Sequence, residues 1–367
     1  MKQGPALENL TGAIAEVCRS GLSPELLRER VLSRLRRAVP FDAAFWSVVD
    51  PATLLFTQAH QEEIPPDTIP YFVENEFLVD DVNKFTALAR DRGGVRTLVE
   101  ATEGEIEASS RYREIFRPLG LGDELRAVLR AGGVCWGYIC LHREAGTPFS
   151  ADEVRYVKRI APHLAEGIRA GLLATHVEEA DLADAPGLLL LAPGGSVIST
   201  TAAGEMWLAE LGHPDPARHG LPGEILSLAA KFSHDDAETP TRLRMPTRAG
   251  RWAVLHASRL PTAGNDAVAV IIEEPSPAEL APVLMMAYGL TKQEQSLTAL
   301  ICRGLSTKEI AGRLHITPNT VQDHLKSIFE KTGVGSRREL VATILQEQYL
   351  PRTMAGRPLG TSGFFVS

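Results

Sequence analysis

The chain has 367 residues, of which 44% are hydrophobic, and its formal net charge is −8. This length predicts two or three domains with well-filled cores. The sequence contains no run of 18 or more apolar residues, so no membrane span is predicted. The first ten residues lack the pattern of a secretory signal. The four cysteines are scattered, which favours a reduced, cytoplasmic protein without disulfides.

The first 180 residues alternate between helical and strand patterns. A helix is predicted over 23–38, a strand over 41–50 and a hairpin over 123–144. A capping box at Ser150–Glu153 opens a long helix with one apolar face. The order of helix, antiparallel strands, helical middle, hairpin and long exit helix resembles a GAF-type sensor domain. The resemblance implies an α/β domain over 1–180 that binds a small-molecule effector.

Aromatic residues are the candidates for the wall of a ligand pocket in this domain. For any single one, an ordinary role in the hydrophobic core remains the alternative. The candidates are Trp46, Tyr71, Phe77, Phe85, Tyr112, Phe116 and Trp136.

Two cysteines of the predicted hairpin bear on whether the domain binds a metal. Cys135 and Cys140 lie five residues apart on one strand, so their side chains are expected on opposite faces. That spacing argues against a shared metal ion, and neither a metal nor a cofactor is predicted.

Residues 181–275 form a second segment rich in strand patterns. Residues 186–200 indicate a strand, a glycine-rich turn and a second strand, followed by a short helical pattern. Three further strands are predicted from 241, 251 and 266. The segment resembles a reduced PAS-type domain with a thin helical middle, and 276–289 is assigned to a linker.

The C-terminal segment carries four helix start signals within about 50 residues. Three are capping boxes, at Thr291–Glu294, Ser306–Glu309 and Ser336–Glu339. The fourth, Thr317-Pro318, places a hydroxyl at the N-cap and a proline at the first helical position. Because the link between the second and third helices is only about three residues, they are expected to cross sharply, as in a helix-turn-helix.

The third helix of this segment has two distinct faces. Val321, Leu325 and Ile328 share the apolar face, at about 100° per residue. The opposite face is polar and can hydrogen-bond, as the major groove of DNA requires, although an ordinary solvated helix face looks similar. Its polar residues are Asn319, Gln322, Asp323, Lys326 and Glu330.

Residues 290–345 resemble the C-terminal DNA-binding domain of LuxR-type regulators. The matching residues are Leu290-Thr291 with Glu294, Gly304-Leu305-Ser306, Lys308-Glu309-Ile310-Ala311, Leu314, Thr320-Val321, His324, Lys331, Gly333-Val334 and Ser336-Arg337. Ten Lys+Arg against six Asp+Glu from Leu290 onward give this region a charge of +4, which suits DNA. The resemblance implies an all-α four-helix domain over 290–350, with a flexible tail over 351–367.

The resemblance also implies a homodimer on double-stranded DNA, with the third helix in the major groove. The base-facing positions fall on Gln322, Asp323 and Lys326, beside Asn319. The phosphate-contacting positions fall on Ser306, Lys308, Thr320 and Lys331. The chain departs from the family at Gln322, where a basic residue is common, and Asp323 adds a negative charge that repels phosphate but can accept from cytosine.

No signature of a common enzyme class occurs, because the phosphate-loop, zinc-protease and serine-hydrolase motifs are all missing. A transcription factor of α+β multidomain architecture is therefore predicted, with no catalytic residues and no membrane contact. The alternative is that the N-terminal body binds a partner protein and no small ligand. A collapsed interior and an exposed apolar patch would favour this alternative.

Overall fold

A computed structural model describes residues 4–174, 185–193, 195–213, 220–234, 241–260 and 267–345. Two compact units form: the first contains two β-sheet domains, and the second contains the C-terminal helices from Glu274. Among these residues, no helix is both long and apolar enough to cross a bilayer. The predicted flexible tail 351–367 lies outside the described residues.

An antiparallel five-stranded sheet forms the centre of the first domain, in the order β2-β1-β5-β4-β3. The strands are β1 (Ala43–Val49), β2 (Phe56–Glu62), β3 (Val95–Thr97), β4 (Leu121–Ala131) and β5 (Val134–Glu144). The predicted hairpin is the β4–β5 pair, whose two turn residues Gly132 and Gly133 have φ of +59° and +79°. Glycine suits both positions, because two successive positive φ values are required.

Different helices cover the two faces of this sheet. The helices are α1 (Gly4–Arg19), α2 (Pro24–Ala38), α3 (Ile69–Phe77), α4 (Phe85–Leu88), α5 (Leu98–Ala101) and α6 (Ala151–Leu173). The long helix α6 begins at the predicted capping box and packs on β4 and β5, with α1 and α2 against it. Short helices from α3 to Phe116 contribute side chains to an aromatic core on the sheet. The order of elements is the one on which the GAF resemblance rests, so the prediction of a GAF-like domain is confirmed.

A β-bulge overturns the prediction that Cys135 and Cys140 face opposite sides. Gly137 pairs with Leu129, whereas Cys135 pairs with the next residue, Arg130, so Trp136 is an extra residue in β5. The extra residue shifts the alternation of side chains by one. Both cysteines therefore belong to the same hydrophobic cluster.

The second domain contains another antiparallel five-stranded sheet, in the order β7-β6-β10-β9-β8. Its elements are β6 (Gly187–Leu191), β7 (Val197–Thr200), α7 (Ala202–Glu210), α8 (Gly223–His234), β8 (Thr241–Pro246), β9 (Trp252–Leu260) and β10 (Ala267–Glu273). Taken in chain order, the strands repeat the arrangement of the first sheet. The interior side chains of β6, β9 and β10 pack with Trp207 and Leu208 of α7 and Ile225 of α8.

The two sheet domains share a hydrophobic boundary. Helix α8 of the second domain packs against α3 and β2 of the first. Phe77 and Leu226 each contact the cores of both domains, and Leu55 of the first domain is buried in the core of the second.

Polar contacts reinforce this boundary. The Asp50 carboxylate accepts from Nε and Nη2 of Arg244 at 2.9 and 2.8 Å. The Asp50 side chain is fully buried. The Ala59 N–H donates to Glu224 Oε1 at 3.0 Å, and burial raises the pKa of that carboxyl group. The two domains are therefore joined by specific buried groups.

The C-terminal unit consists of helices alone in its described part. They are α9 (Pro277–Ala287), α10 (Lys292–Cys302), α11 (Thr307–Leu314), α12 (Pro318–Thr332) and α13 (Arg337–Leu345). The last four are the four predicted helices. The segment 276–289, predicted as a linker, contains α9, which begins at a Ser276–Glu279 capping box and packs against α13 and α10.

Candidate functional site

The predicted N-caps fix the start of each helix in the C-terminal unit. Thr291 and Glu294 form a reciprocal capping box, and so do Ser306 and Glu309. At Ser336 the hydroxyl caps Glu339, but the Glu339 carboxylate accepts from the N–H of Gly335. Each cap satisfies backbone N–H groups that a helix start leaves without partners.

A tight turn orients α12 against α11. His315 ends α11 with a φ of +55°, a left-handed conformation that is uncommon outside glycine. Two residues later, Thr317 caps α12 by accepting from the N–H of Thr320 at 3.1 Å. The apolar residues Val321, Leu325 and Ile328 of α12 are buried, as predicted.

The predicted base-facing residues share the solvent-exposed side of α12. Asn319, Gln322, Asp323 and Lys326 are all exposed. The Gln322 amide donates to the Thr307 hydroxyl of α11 at 3.5 Å, a long contact that a base edge can replace. The structure therefore leaves four polar side chains on one surface of a helix 15 residues long.

The predicted phosphate-contacting residues fall into two groups. Ser306 and Lys308 lie exposed at the start of α11, and Thr320 lies half-buried near the start of α12. Lys331 lies near the other end of α12, where its Nζ donates to Glu294 Oε2 at 2.7 Å. Its ammonium group is already paired within the domain.

Glu294 ties α12 to α10 through two of its three hydrogen bonds. Besides Lys331, its carboxylate accepts from Ser327 Oγ and from the Thr291 N–H, each at 2.7 Å. Although burial opposes ionisation, these donors lower the pKa of Glu294 to about 2. The sequence marks Glu294 only as a capping residue. The one further signal for its contact with α12 is Lys331, a basic residue on the inner flank of that helix.

The comparisons with known proteins decide the identity of this unit. Residues 289–344 match the model of the family described as bacterial regulatory proteins, luxR family. The C-terminal domain is a LuxR-family helix-turn-helix domain. An HTH-type transcriptional regulator of Mycobacterium bovis is 46% identical over 52 residues, which are 14% of this chain and 6% of that protein. The chain therefore aligns with only a small part of this curated relative.

The solved structures that align with the chain have low sequence identity to it and low TM-scores. Escherichia coli SdiA aligns with 92% of this chain and 95% of its own, at 12% identity and a TM-score of 0.33. The GAF domain of a phosphoenolpyruvate-protein phosphotransferase from Coxiella burnetii aligns with 44% of this chain and 92% of its own, at 17% identity and a TM-score of 0.32.

Outside the LuxR-family domain, a cluster of aromatic rings lies in the interior of the GAF-like domain. Phe85 stacks on Tyr138 at 4.2 Å between ring centroids, and Phe45 lies 4.8 Å from Phe72. Phe56 contacts most of these rings edge-on or at a tilt. These contacts occupy the centre of the face where a pocket was predicted.

The structure divides the predicted pocket residues. Phe85, Tyr112 and Phe116 belong to this aromatic core, and Phe77 packs against it. Trp46 and Trp136 are buried but lie outside this cluster, and Tyr71 has 63% of its surface exposed. Phe45 belongs to the aromatic core and its neighbour Trp46 does not, because successive residues of a strand face opposite sides of the sheet.

A buried network of charged groups lies beside the aromatic core. Glu124 accepts from Arg111 Nη2 at 2.7 Å and from Arg126 Nε at 2.9 Å, and the side chains are at most 1% exposed. Arg126 also pairs with Glu76 at 2.7 Å, and its guanidinium lies 4.3 Å from the centre of the Phe85 ring. The arginines hold the pKa of Glu124 well below its usual range, despite its burial.

His142 lies in the same interior, with its ring 4.3 Å from that of Phe116. Burial lowers its pKa to about 4, so the imidazole is neutral at physiological pH. Ligand atoms of His142, Cys140 and Glu124 lie within 4.8 Å of one another. Sequence reasoning misses this cluster. Its signal is charged and polar residues at alternate positions of two buried strands, and ordinary strand alternation gives the same pattern.

Proposed function

We propose that this protein is a DNA-binding transcriptional regulator that acts as a homodimer on double-stranded DNA. The observation that carries the proposal is the LuxR-family domain with the exposed polar face of α12. In this proposal α12 enters the major groove, with Gln322, Asp323 and Lys326 at base edges and Asn319 beside them. Such a protein acts in the cytoplasm, where its DNA is, and needs no catalytic residues.

Phosphate contacts would position the domain on the duplex. We assign them to Ser306, Lys308 and Thr320, which lie near the starts of α11 and α12. A helix start favours anions because its N–H groups and dipole point outward. Lys331 contributes to this surface only if its ammonium group leaves Glu294 or binds phosphate together with it.

We divide the chain into a sensor domain over 1–180, a PAS-like domain over 181–275, a linking segment over 276–289 and a DNA-binding domain over 290–350. Support comes from the two sheets with one strand order and from the separate helical unit. The N-terminal domains would control DNA binding, and an effector can do so only by favouring one state of the protein over another.

A specific observation favours a partner protein as the controlling signal. The rings of Phe45, Phe56 and Phe85 contact one another in the core where a ligand pocket was predicted. On the second sheet, the facing pair Leu188 and Ile271 keep 41% and 39% of their surfaces exposed. Adjoining exposed apolar side chains are typical of a surface that binds a protein partner.

Selection from random DNA with the full chain tests the proposed reading face. We expect one enriched motif. Lys326→Ala and Gln322→Ala should each weaken binding to that motif by about 1–3 kcal/mol and relax the preference at one position. Lys308→Ala should weaken binding to all sequences alike and flatten the dependence of affinity on salt.

The matched control is Glu330→Ala, on the same polar side of α12 but at its far end. This change should leave the motif unaltered. If Gln322 and Lys326 can be changed without altering sequence preference, the assignment of the reading face is wrong. If the full chain enriches no motif at low salt, DNA reading itself is contradicted.

A further inference from the structure

Three buried side chains on adjacent strands of the GAF-like domain bring metal-binding atoms together. His142 of β5 faces Glu124 of β4 across the sheet, and Cys140 is two residues before His142 on the same strand. The ligand atoms of these three residues lie within 4.8 Å of one another. Cys140 is fully buried, and the other two residues are 1% exposed.

His142 lacks the partners that a buried imidazole normally has. Neither Nδ1 nor Nε2 has a hydrogen-bond partner in the structure. A buried polar atom without a partner costs free energy, so such atoms are rare in folded proteins. At least one ring nitrogen is available to a ligand.

Glu124, by contrast, has both carboxylate oxygens engaged. Oε1 accepts from Arg126 and Oε2 accepts from Arg111, so both oxygens lie against a guanidinium group, whose positive charge opposes a metal ion there. The available ligand set therefore reduces to the Cys140 thiol and the His142 imidazole.

The charge of the surroundings limits which ion can enter. The network has three cationic and three anionic side chains. Arg111 and Arg126 are buried with Glu76, Asp81 and Glu124, and Lys84 lies half-buried at the edge, near Glu76. A monovalent ion that replaces the Cys140 proton leaves this balance unchanged. A divalent ion would leave an excess positive charge in the interior, which is costly.

We propose that Cys140 Sγ and one ring nitrogen of His142 form a two-coordinate site for a soft monovalent ion of the Cu(I) and Ag(I) class. Thiolate ligands favour soft ions of this kind. On binding, the thiol proton passes to solvent, bonds form from the metal to sulfur and nitrogen, and no electron is transferred. Bonds of about 2.3 and 2.0 Å, as found for zinc, would span roughly 4.3 Å in a linear arrangement. The ligand atoms of Cys140 and His142 lie within 4.8 Å of each other, so they are close enough for both bonds after a small adjustment.

Such an ion would serve as an effector of the GAF-like domain that needs no large pocket. This role rests on the proposed function, whereas binding of the ion does not. The experiment therefore measures metal binding without DNA, so that failure of the site and failure of DNA reading are distinguishable.

Anaerobic titration of the full chain against a coloured Cu(I) chelator tests the site. We expect the wild type to withdraw one equivalent of Cu(I) and Cys140→Ala to lose that equivalent. The matched controls are Cys302→Ala, in the C-terminal domain, and Cys135→Ala, in the same aromatic core; both should retain it. The site is ruled out if the wild type leaves the chelator loaded or if Cys140→Ala still binds the ion.

Two measurements on the wild type keep the test decisive if Cys140→Ala does not fold. X-ray absorption of the Cu(I)-loaded chain should show one sulfur and one nitrogen in the first shell, and a shell of sulfur alone contradicts the site. Zn(II) at the same concentration should not raise the unfolding temperature, whereas Cu(I) should. Stabilisation by Zn(II) that disappears with His142→Leu would overturn the charge argument.

Discussion

Glu294 makes more contacts than its sequence motif predicts. Its motif marks it as the partner in a helix cap, and the structure adds Ser327 and Lys331 of α12 to that cap. At 3% exposure the carboxylate is nearly removed from water, and its hydrogen bonds still keep it ionised. Glu294 is therefore the group that sets the position of α12 against α10.

Acid should weaken the C-terminal unit through Glu294. Its folded pKa of about 2 lies below the ordinary value of 4.5, so its stabilisation is present above pH 4.5 and is lost as the pH falls toward 2. The difference between these two pKa values corresponds to about 3 kcal/mol of unfolding free energy. Glu294→Gln should remove this contribution at pH 7 and flatten the loss between pH 5 and pH 2, as measured by urea unfolding of the full chain.

Glu309→Gln is the control for this pH effect. Glu309 also lies in a capping box, but it is exposed on α11 and its hydrogen bonds are with Ser306 at the start of its own helix. Its substitution should change the acid response far less. Equal responses of the two variants would show that capping alone, and not the bond to Lys331, accounts for the effect.

For single residues, prediction from the sequence is least accurate where a β-bulge interrupts the alternation of side chains along a strand. Phe85 and Phe116 are predicted as pocket residues with a core role as the alternative, and both belong to the aromatic core. Cys135 was placed on the wrong face, because nothing in the sequence marks Trp136 as the extra residue of a bulge. The arginine contacts of Glu124 were also unpredictable, since they join segments far apart in the chain.

At the scale of elements, capping chemistry was the most reliable signal. The four N-cap signals of the C-terminal segment correspond to α10, α11, α12 and α13, because a cap is a local interaction within four residues. Helix α9 lies in the segment 276–289 that is predicted as a linker. Its Ser276–Glu279 box, with Pro277 at the first helical position, was a start signal of the same kind.

Removal of the α12 cap should loosen the helix without touching its reading face. Thr317→Ala deletes the oxygen that accepts from the Thr320 N–H, which should cost about 1 kcal/mol. Amide hydrogen exchange of the first turn of α12 should then be about five-fold faster. Thr317→Ser retains the hydroxyl and should exchange nearly as the wild type does, and faster exchange in both variants would contradict the capping role.

At the scale of the whole molecule, neither the repeated strand order nor the boundary between the two sheet domains could be read from sequence. Strand order depends on pairing between distant segments, and the turn signals fix only neighbouring strands. The contact of Asp50 with Arg244 joins residues 194 positions apart, and each looks like an ordinary surface residue in its own segment. Domains joined in this way are expected to respond together when either binds a partner or an ion.

Disruption of the Asp50–Arg244 pair should therefore destabilise both sheet domains at once. Arg244→Ala leaves a fully buried carboxylate without its guanidinium, which should cost about 3–5 kcal/mol. The double variant with Asp50→Ala as well should recover part of that loss, because no charge then remains buried. Calorimetry of the wild type should show one shared transition for the two domains, and Arg244→Ala should lower it as a whole. Separate transitions, of which only the second domain's moves, would show that the boundary does not couple them.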